Sequence, residues 1–208
     1  MRILSLLIGF AWSAHAAEIA GLVRLAGTNQ PVARAIVYLG TGNGRSTASN
    51  AVLEARDGVL QPHVQVATRG SMLVLRNDDP TLHVVRVQAL NSTNTPVTLL
   101  TQAMPYAGFQ KAFALEGFLD TTLLRVSSGN GEEMSAYVAV LPHPWAALTD
   151  ENGRFALSGV PAGTYKLFAW HETLGTLVRE VKAPATVELE FTPNQNLGFT
   201  STAPKRVD

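Results

Sequence analysis

Histidine is the side chain best suited to ligating a metal or moving a proton near neutral pH. The chain has five: His15, His63, His83, His143 and His171. No two of them stand in an H-x-H or H-x-x-x-H arrangement, so their spacing supplies no ready-made chelate. Cysteine is absent. That removes disulfides, zinc–thiolate sites, iron–sulfur clusters, thiol nucleophiles and the thiolate a blue-copper centre requires. The prominent acids are Asp78, Asp79, Glu132, Glu133 and Asp150. Asp78-Asp79-Pro80 and Asp150 stand at turns, where a carboxylate accepts backbone N–H groups. The Asp150–Gly153 stretch lacks the ligand count and distal glutamate of an EF-hand loop, and Glu132-Glu133 reads as a solvated acidic loop. Gly40–Gly44 has neither the lysine nor the strand–helix setting of a phosphate cradle. No G-x-S-x-G elbow occurs. Asn91-Ser92-Thr93 matches a glycosylation acceptor. With no nucleophile–base or carboxylate constellation, the expectation is a protein that is not an enzyme.

The elements that would position these residues read as strands. Of 208 residues, 46% are hydrophobic and 15% charged, a balance that excludes a disordered chain. Sixteen basic side chains face sixteen acidic ones, so no global field draws the molecule to nucleic acid. Short runs rich in Val, Leu, Thr and aromatics are cut by Gly, Pro, Asn and Asp. They predict strands over Ile19–Leu25, Ala33–Leu39, Val64–Thr68, Met72–Arg76, His83–Ala89, Gln110–Leu115, Thr122–Val126 and Ala136–Leu141. A second series covers Trp145–Thr149, Arg154–Leu157, Thr164–Trp170, Leu177–Val181 and Thr186–Phe191. No window keeps a helical period for three turns. The fold class is all-β, as two sandwiches, joined at Pro142-His143-Pro144, where His143 reads as a linker residue.

The first seventeen residues read as an address. Arg2 precedes the apolar run Ile3–Trp12, and Ala14-His15-Ala16 offers the small residues that a signal peptidase reads. Residues 1–17 are therefore expected to be a signal peptide, and the chain to be periplasmic or secreted. No later segment reaches transmembrane length without a charge or a turn.

Thr149-Asp150-Glu151-Asn152-Gly153-Arg154-Phe155, followed by Val160-Pro161-Ala162-Gly163-Thr164-Tyr165, resembles the turns of the carboxypeptidase regulatory-like (transthyretin-like) domain. That resemblance implies a small non-catalytic β-sandwich over residues 142–192, with a tail at 193–208. Trp170-His171-Glu172 recurs at a strand end in that family and reads as a rim cluster. Residues 18–141 are similar to a plastocyanin-like cupredoxin, a Greek-key sandwich. The stretch from Pro62-His63-Val64 through Gly70, Asn77 and Asp79 to Leu82-His83-Val84-Val85 carries the likeness, as does the later Leu124–Val140. The combined architecture resembles secreted bacterial proteins often labelled methylamine-utilisation proteins.

Carried over by position, the cupredoxin resemblance implies His83 at the first imidazole ligand and Met134 at the axial thioether. Ser128 falls at the thiolate position and Gly131 at the second imidazole. A blue-copper centre takes two imidazoles and a thiolate in its trigonal plane. Only His83 of those three remains, so type 1 copper is excluded and no cofactor is expected beyond weak copper at His83 and Met134. The alternative for His83 is a hydrogen bond to the Asn77–Asp79 turn or to a backbone carbonyl. Two functions follow as expectations: a binding or structural module for an envelope protein or glycan, or a non-standard copper or redox protein using His83 and Met134.

Overall fold

The computed structural model describes residues 17–42, 44, 50–90, 96–118, 120–129 and 134–192. The expected signal peptide up to Ala16, Gly131, Glu132, Glu133, Asn91-Ser92-Thr93 and the tail at 193–208 lie outside them. Every regular element among the described residues is a strand. The chain begins β1 (Ala17–Leu25), β2 (Ile36–Leu39), β3 (Ala51–Arg56), β4 (Val59–Gln61) and β5 (Val64–Thr68). It continues with β6 (Met72–Asn77), β7 (His83–Leu90), β8 (Pro96–Met104), β9 (Gln110–Ala114), β10 (Thr122–Ser128) and β11 (Met134–Leu141). The last strands are β12 (Ala146–Leu148), β13 (Arg154–Val160), β14 (Gly163–His171), β15 (Gly175–Ala183) and β16 (Ala185–Phe191). The protein is all-β.

The strands form four sheets, ordered β13-β1-β16, β12-β2-β14-β15, β5-β11-β10-β7-β8 and β4-β3-β6-β9. Three apolar cores stack these sheets into layers. Ile19, Val23, Leu157 and Phe191 of the first sheet meet Val37, Leu39, Leu167 and Ala169 of the second. The opposite face of the second sheet sends Ile36, Tyr38, Phe168 and Trp170 against Val64, Leu123, Ala139 and Leu141 of the five-stranded sheet. The other face of that sheet packs Val85, Val126, Ala136 and Val138 against Leu53, Leu73 and Leu75 of the fourth. The fully buried β2, apolar at every position, follows from this: a strand covered on both faces has no reason to alternate.

The pairing departs from a division of the chain into residues 18–141 and 142–192. β1 pairs antiparallel with β13 and parallel with β16, while β2 lies between β12 and β14. Residues 17–39 therefore belong by hydrogen bonding with residues 146–191, and β3–β11 form the intervening pair of sheets. Alternation and β-propensity say that a segment is a strand but not which strand it joins. Three strands lie beyond the expected set: β3, β4 and β8.

Thr149 shows what joins the separated segments. Its buried hydroxyl donates to the Val32 carbonyl at 2.7 Å and accepts the Ala35 N–H at 2.8 Å. Asp150 Oδ1 accepts from the N–H groups of Asn152 and Arg154, closing the turn. Gly153 follows at φ +73°, where a Cβ would stand 2.3 Å from the Val23 carbonyl oxygen. Only glycine fits there. Phe155 then enters the first core.

Candidate functional site

His83 opens β7, and its neighbours on the same side of the strand, Val85 and Val87, enter the core shared with the fourth sheet. Ser128, the last residue of β10, stands opposite Val85 on one side and Met134 on the other. His83, Ser128 and Met134 are thus gathered at one end of the five-stranded sheet on its core-facing side. Ser128 and Met134 are both buried. The sheet register sets three of the residues singled out by sequence together, and the fourth, Gly131, lies outside the described residues.

His83 already has a partner. Its Nε2 lies 2.9 Å from Asp79 Oδ2, with both side chains about nine-tenths covered. Thr81 Oγ1 stands 3.5 Å from the same nitrogen. Burial of Asp79 works against its charge. The N–H groups of Gly58 and Asp57, at 3.2 and 2.6 Å, and His83 outweigh that and hold its carboxyl below the usual range. Asn77 fixes the turn from inside: fully buried, its Nδ2 donates to the carbonyls of Thr81 and Met104, and its Oδ1 accepts the Asp79 N–H. Met104 is the residue opposite His83 across β7 and β8. The imidazole is therefore held in a braced hydrogen-bonded turn.

Asp79 accepts backbone N–H groups as its place in a turn implies, but Asp78 does something else. Arg76 donates to it twice at 2.7 Å and Arg56 once at 2.6 Å. Glu54 bonds both guanidinium groups, closing a four-residue charge cluster beside the turn. Hydrogen bonds from Arg76 and then Arg56 hold the Asp78 carboxyl down at about 2.

The donor set does not fit a type 1 copper centre. Such a centre requires a thiolate in its trigonal plane, and Ser128 offers a hydroxyl, which stays protonated at neutral pH. Among the described residues no group of three or more His, Asp or Glu side chains is placed to hold a metal. What the arrangement offers is one imidazole, bonded to Asp79 through Nε2, at the same end of the sheet as one thioether.

The remaining histidines separate. His63 lies before β5, with Nδ1 2.9 Å from the Ser135 carbonyl and Nε2 2.7 Å from Glu172 Oε2. Glu172 lies in the β14–β15 turn, so this pair bridges the two pairs of sheets. His171 sits beside it, its Nδ1 accepting the Thr173 N–H at 3.3 Å; burial holds its pKa down. His143, expected in a linker, is fully buried. It packs against the Trp145 ring at 5.6 Å, and neither nitrogen has a partner in hydrogen-bonding geometry. Burial pushes its pKa down, opposed in part by the carbonyls of Leu39 and of His143 itself. Two flanking prolines signal a turn, but nothing local to them shows that Trp145 and the Gly42 backbone cover this one.

A second surface was not anticipated. Thr41, Gly42, Gly44, Trp145, Pro161 and Tyr165 line a groove of ≈ 410 Å³ on the first pair of sheets. Trp145 Nε1 donates to the Gly159 carbonyl at 3.2 Å and the Tyr165 hydroxyl to that of Pro161 at 2.9 Å. Both rings are thereby fixed at its wall.

No family model matches the chain, and no curated protein matches it. Solved structures with likeness to part of it are cupredoxins and their relatives. A purple cupredoxin from Nitrosopumilus maritimus is 14% identical over 43% of this chain and 98% of its own, with a TM-score of 0.34. An oxidised amicyanin variant is 13% identical over 44% of this chain and 81% of its own, with a TM-score of 0.34. A copper-containing nitrite reductase from Thermus scotoductus SA-01 is 11% identical over 50% of this chain and 25% of its own, with a TM-score of 0.35.

Proposed function

We propose that this protein is an exported, non-enzymatic binding or structural module, built from a carboxypeptidase regulatory-like sandwich and a cupredoxin-like sandwich without a type 1 copper centre. The observation that carries the reading is the junction of β7, β10 and β11. There Ser128, at the position where the pattern would have a thiolate, pairs with Met134 on β11 and with Val85, two residues from His83, on β7. That geometry supports a copper-binding frame kept for its packing. The strand motif Leu124–Val140 and the Thr149–Phe155 turn support the two family resemblances. Export rests on the Arg2-to-Ala16 pattern. Among the described residues no helix is long and apolar enough to cross a membrane.

The double substitution Ser128→Cys with Gly131→His tests the register. It should give a folded protein with an intense visible band on adding Cu(II), since that band arises from thiolate-to-copper charge transfer. A folded double variant that stays colourless would show that these positions are not the ligand positions.

A second reading concerns the partner. The groove sets the partly exposed ring of Tyr165, fixed through its hydroxyl, beside the exposed Thr41 side chain, a combination suited to a sugar ring. A glycan array with the wild type and Tyr165→Ala should show signals lost in the variant. No signal from the wild type would remove the glycan reading and leave an envelope protein as the partner, and equal signals from both would place the sugar away from this groove.

A further inference from the structure

We infer that His63 and Glu172 form a proton-dependent clasp between the two pairs of sheets, complete when a proton lies between Nε2 and the carboxylate and loosened when that proton leaves. The ring faces an acceptor at each nitrogen. Nδ1 lies 2.9 Å from the Ser135 carbonyl oxygen and Nε2 lies 2.7 Å from Glu172 Oε2. A carbonyl only accepts, and so does an ionised carboxylate. A neutral imidazole has one N–H and serves one of the two; its other nitrogen then sets a lone pair against oxygen. Both bonds form only when the pair holds one more proton, on the imidazole or on the carboxyl. Among the described residues no other histidine is placed this way. His83 meets its carboxylate through one nitrogen, and His171 Nδ1 accepts the Thr173 N–H and so requires a bare nitrogen. His143 has no partner at either.

The ring is held where these two acceptors are. The His63 carbonyl accepts the Tyr137 N–H at 2.7 Å. The Tyr137 ring meets the imidazole edge-on at 5.7 Å, with Trp170 packed on Tyr137 in turn. Ser135 and Tyr137 belong to β11 of the five-stranded sheet, whereas Glu172 lies in the turn after β14 of the second sheet. The proton thus joins two elements that share no backbone ladder. The side chains of His63 and Glu172 are 31% and 30% exposed, so water reaches the pair and its proton exchanges with solvent.

The surrounding charges set what else titrates here. His171 ends β14 beside Glu172. Burial holds its pKa down; Glu172 raises it, and Arg34 and His63 lower it. Arg125 stands across β10 from Tyr137. His171 and the buried His143, both with pKa values held down, stabilise the fold at higher pH and lose that contribution as pH falls. The clasp has the opposite sign, being complete at the lower end of the pH 5–8 range over which imidazole changes charge. The net pH dependence of the whole chain therefore mixes both, and a comparison between variants separates them.

Glu172→Gln is the informative variant. Its amide keeps the shape of the carboxylate but can donate an N–H to a bare Nε2, so it matches the neutral ring. Urea midpoints of the wild type and Glu172→Gln should be measured at pH 5.5 and 8.5, with far-UV spectra to check the fold. At pH 5.5 the wild type should lead by about three- to tenfold in the folding equilibrium constant, the range for a partly covered charged hydrogen bond. At pH 8.5 that lead should vanish or reverse. In a His63→Gln background, Glu172→Gln should shift the midpoint equally at both pH values. A difference between wild type and Glu172→Gln that is the same at both pH values, or larger at pH 8.5, would overturn the inference. So would a pH-dependent difference that persists in the His63→Gln background, which would assign it to His171.

Discussion

Ser128, beside the Asp79–His83 pair, carries the chemical decision at the scale of single residues. The exclusion of a type 1 centre rests on Ser128 standing where a thiolate is required. The Nε2 of His83 is directed at a carboxylate anchored by two backbone N–H groups, a bond that orients the ring and leaves Nδ1 as its second nitrogen. Beside it, Asp78 governs the acid stability of the turn. Its pKa is lower in the fold than in the unfolded chain, so its contribution is complete above the ordinary carboxylate range. That contribution is lost as pH falls toward about 2. Urea midpoints measured through this acid window should fall steeply for the wild type. Asp78→Asn should be weaker near neutrality and show a shallower fall over the same window. A slope unchanged by Asp78→Asn would mean that other carboxylates dominate acid unfolding.

For the elements, the Thr149–Phe155 turn decides how the chain closes on itself. Thr149→Val leaves the Ala35 N–H and Val32 carbonyl buried without the hydroxyl that serves both. This should cost about 2 kcal/mol in urea denaturation, with Thr149→Ser recovering most of it. Equal stability of the valine and serine variants would mean that the hydroxyl does not carry the connection. The turn was legible in the sequence because Asp, Asn-Gly and Phe each have a local reason to be there. The partners of β1 and β2 were not, since the choice rests on packing partners more than a hundred residues away. β8 was hidden for a related reason: an edge strand led by Pro96, with little burial, shows no alternation. The site was partly legible. The family pattern singled out His83, Ser128 and Met134, but their placement at one end of the sheet comes from the strand register, and the burial of His143 depends on Trp145 and Gly42 closing over it.

Across the whole molecule, the layer between the second and third sheets makes the four sheets one body of core. Tyr38 stacks on Phe168 at 5.2 Å and Trp170 packs on Tyr137 at 5.1 Å, against Val64, Leu123 and Leu141. Thermal unfolding should therefore be one transition, coincident by far-UV and near-UV circular dichroism. Phe168→Ala should lower stability by about 3–5 kcal/mol. Two separated transitions in the wild type would mean that this layer is a weak contact. A rigid layered body without a thiolate beside His83 suits a binding or structural module, and copper tests that most directly. The unmodified chain should be dialysed with Cu(II), and in a second arm with Cu(I), then exposed to a mild chelator and assayed for bound metal. The account predicts no intense visible band and metal well below one equivalent after the chelator. One tightly held copper per chain, abolished by His83→Ala, would contradict it.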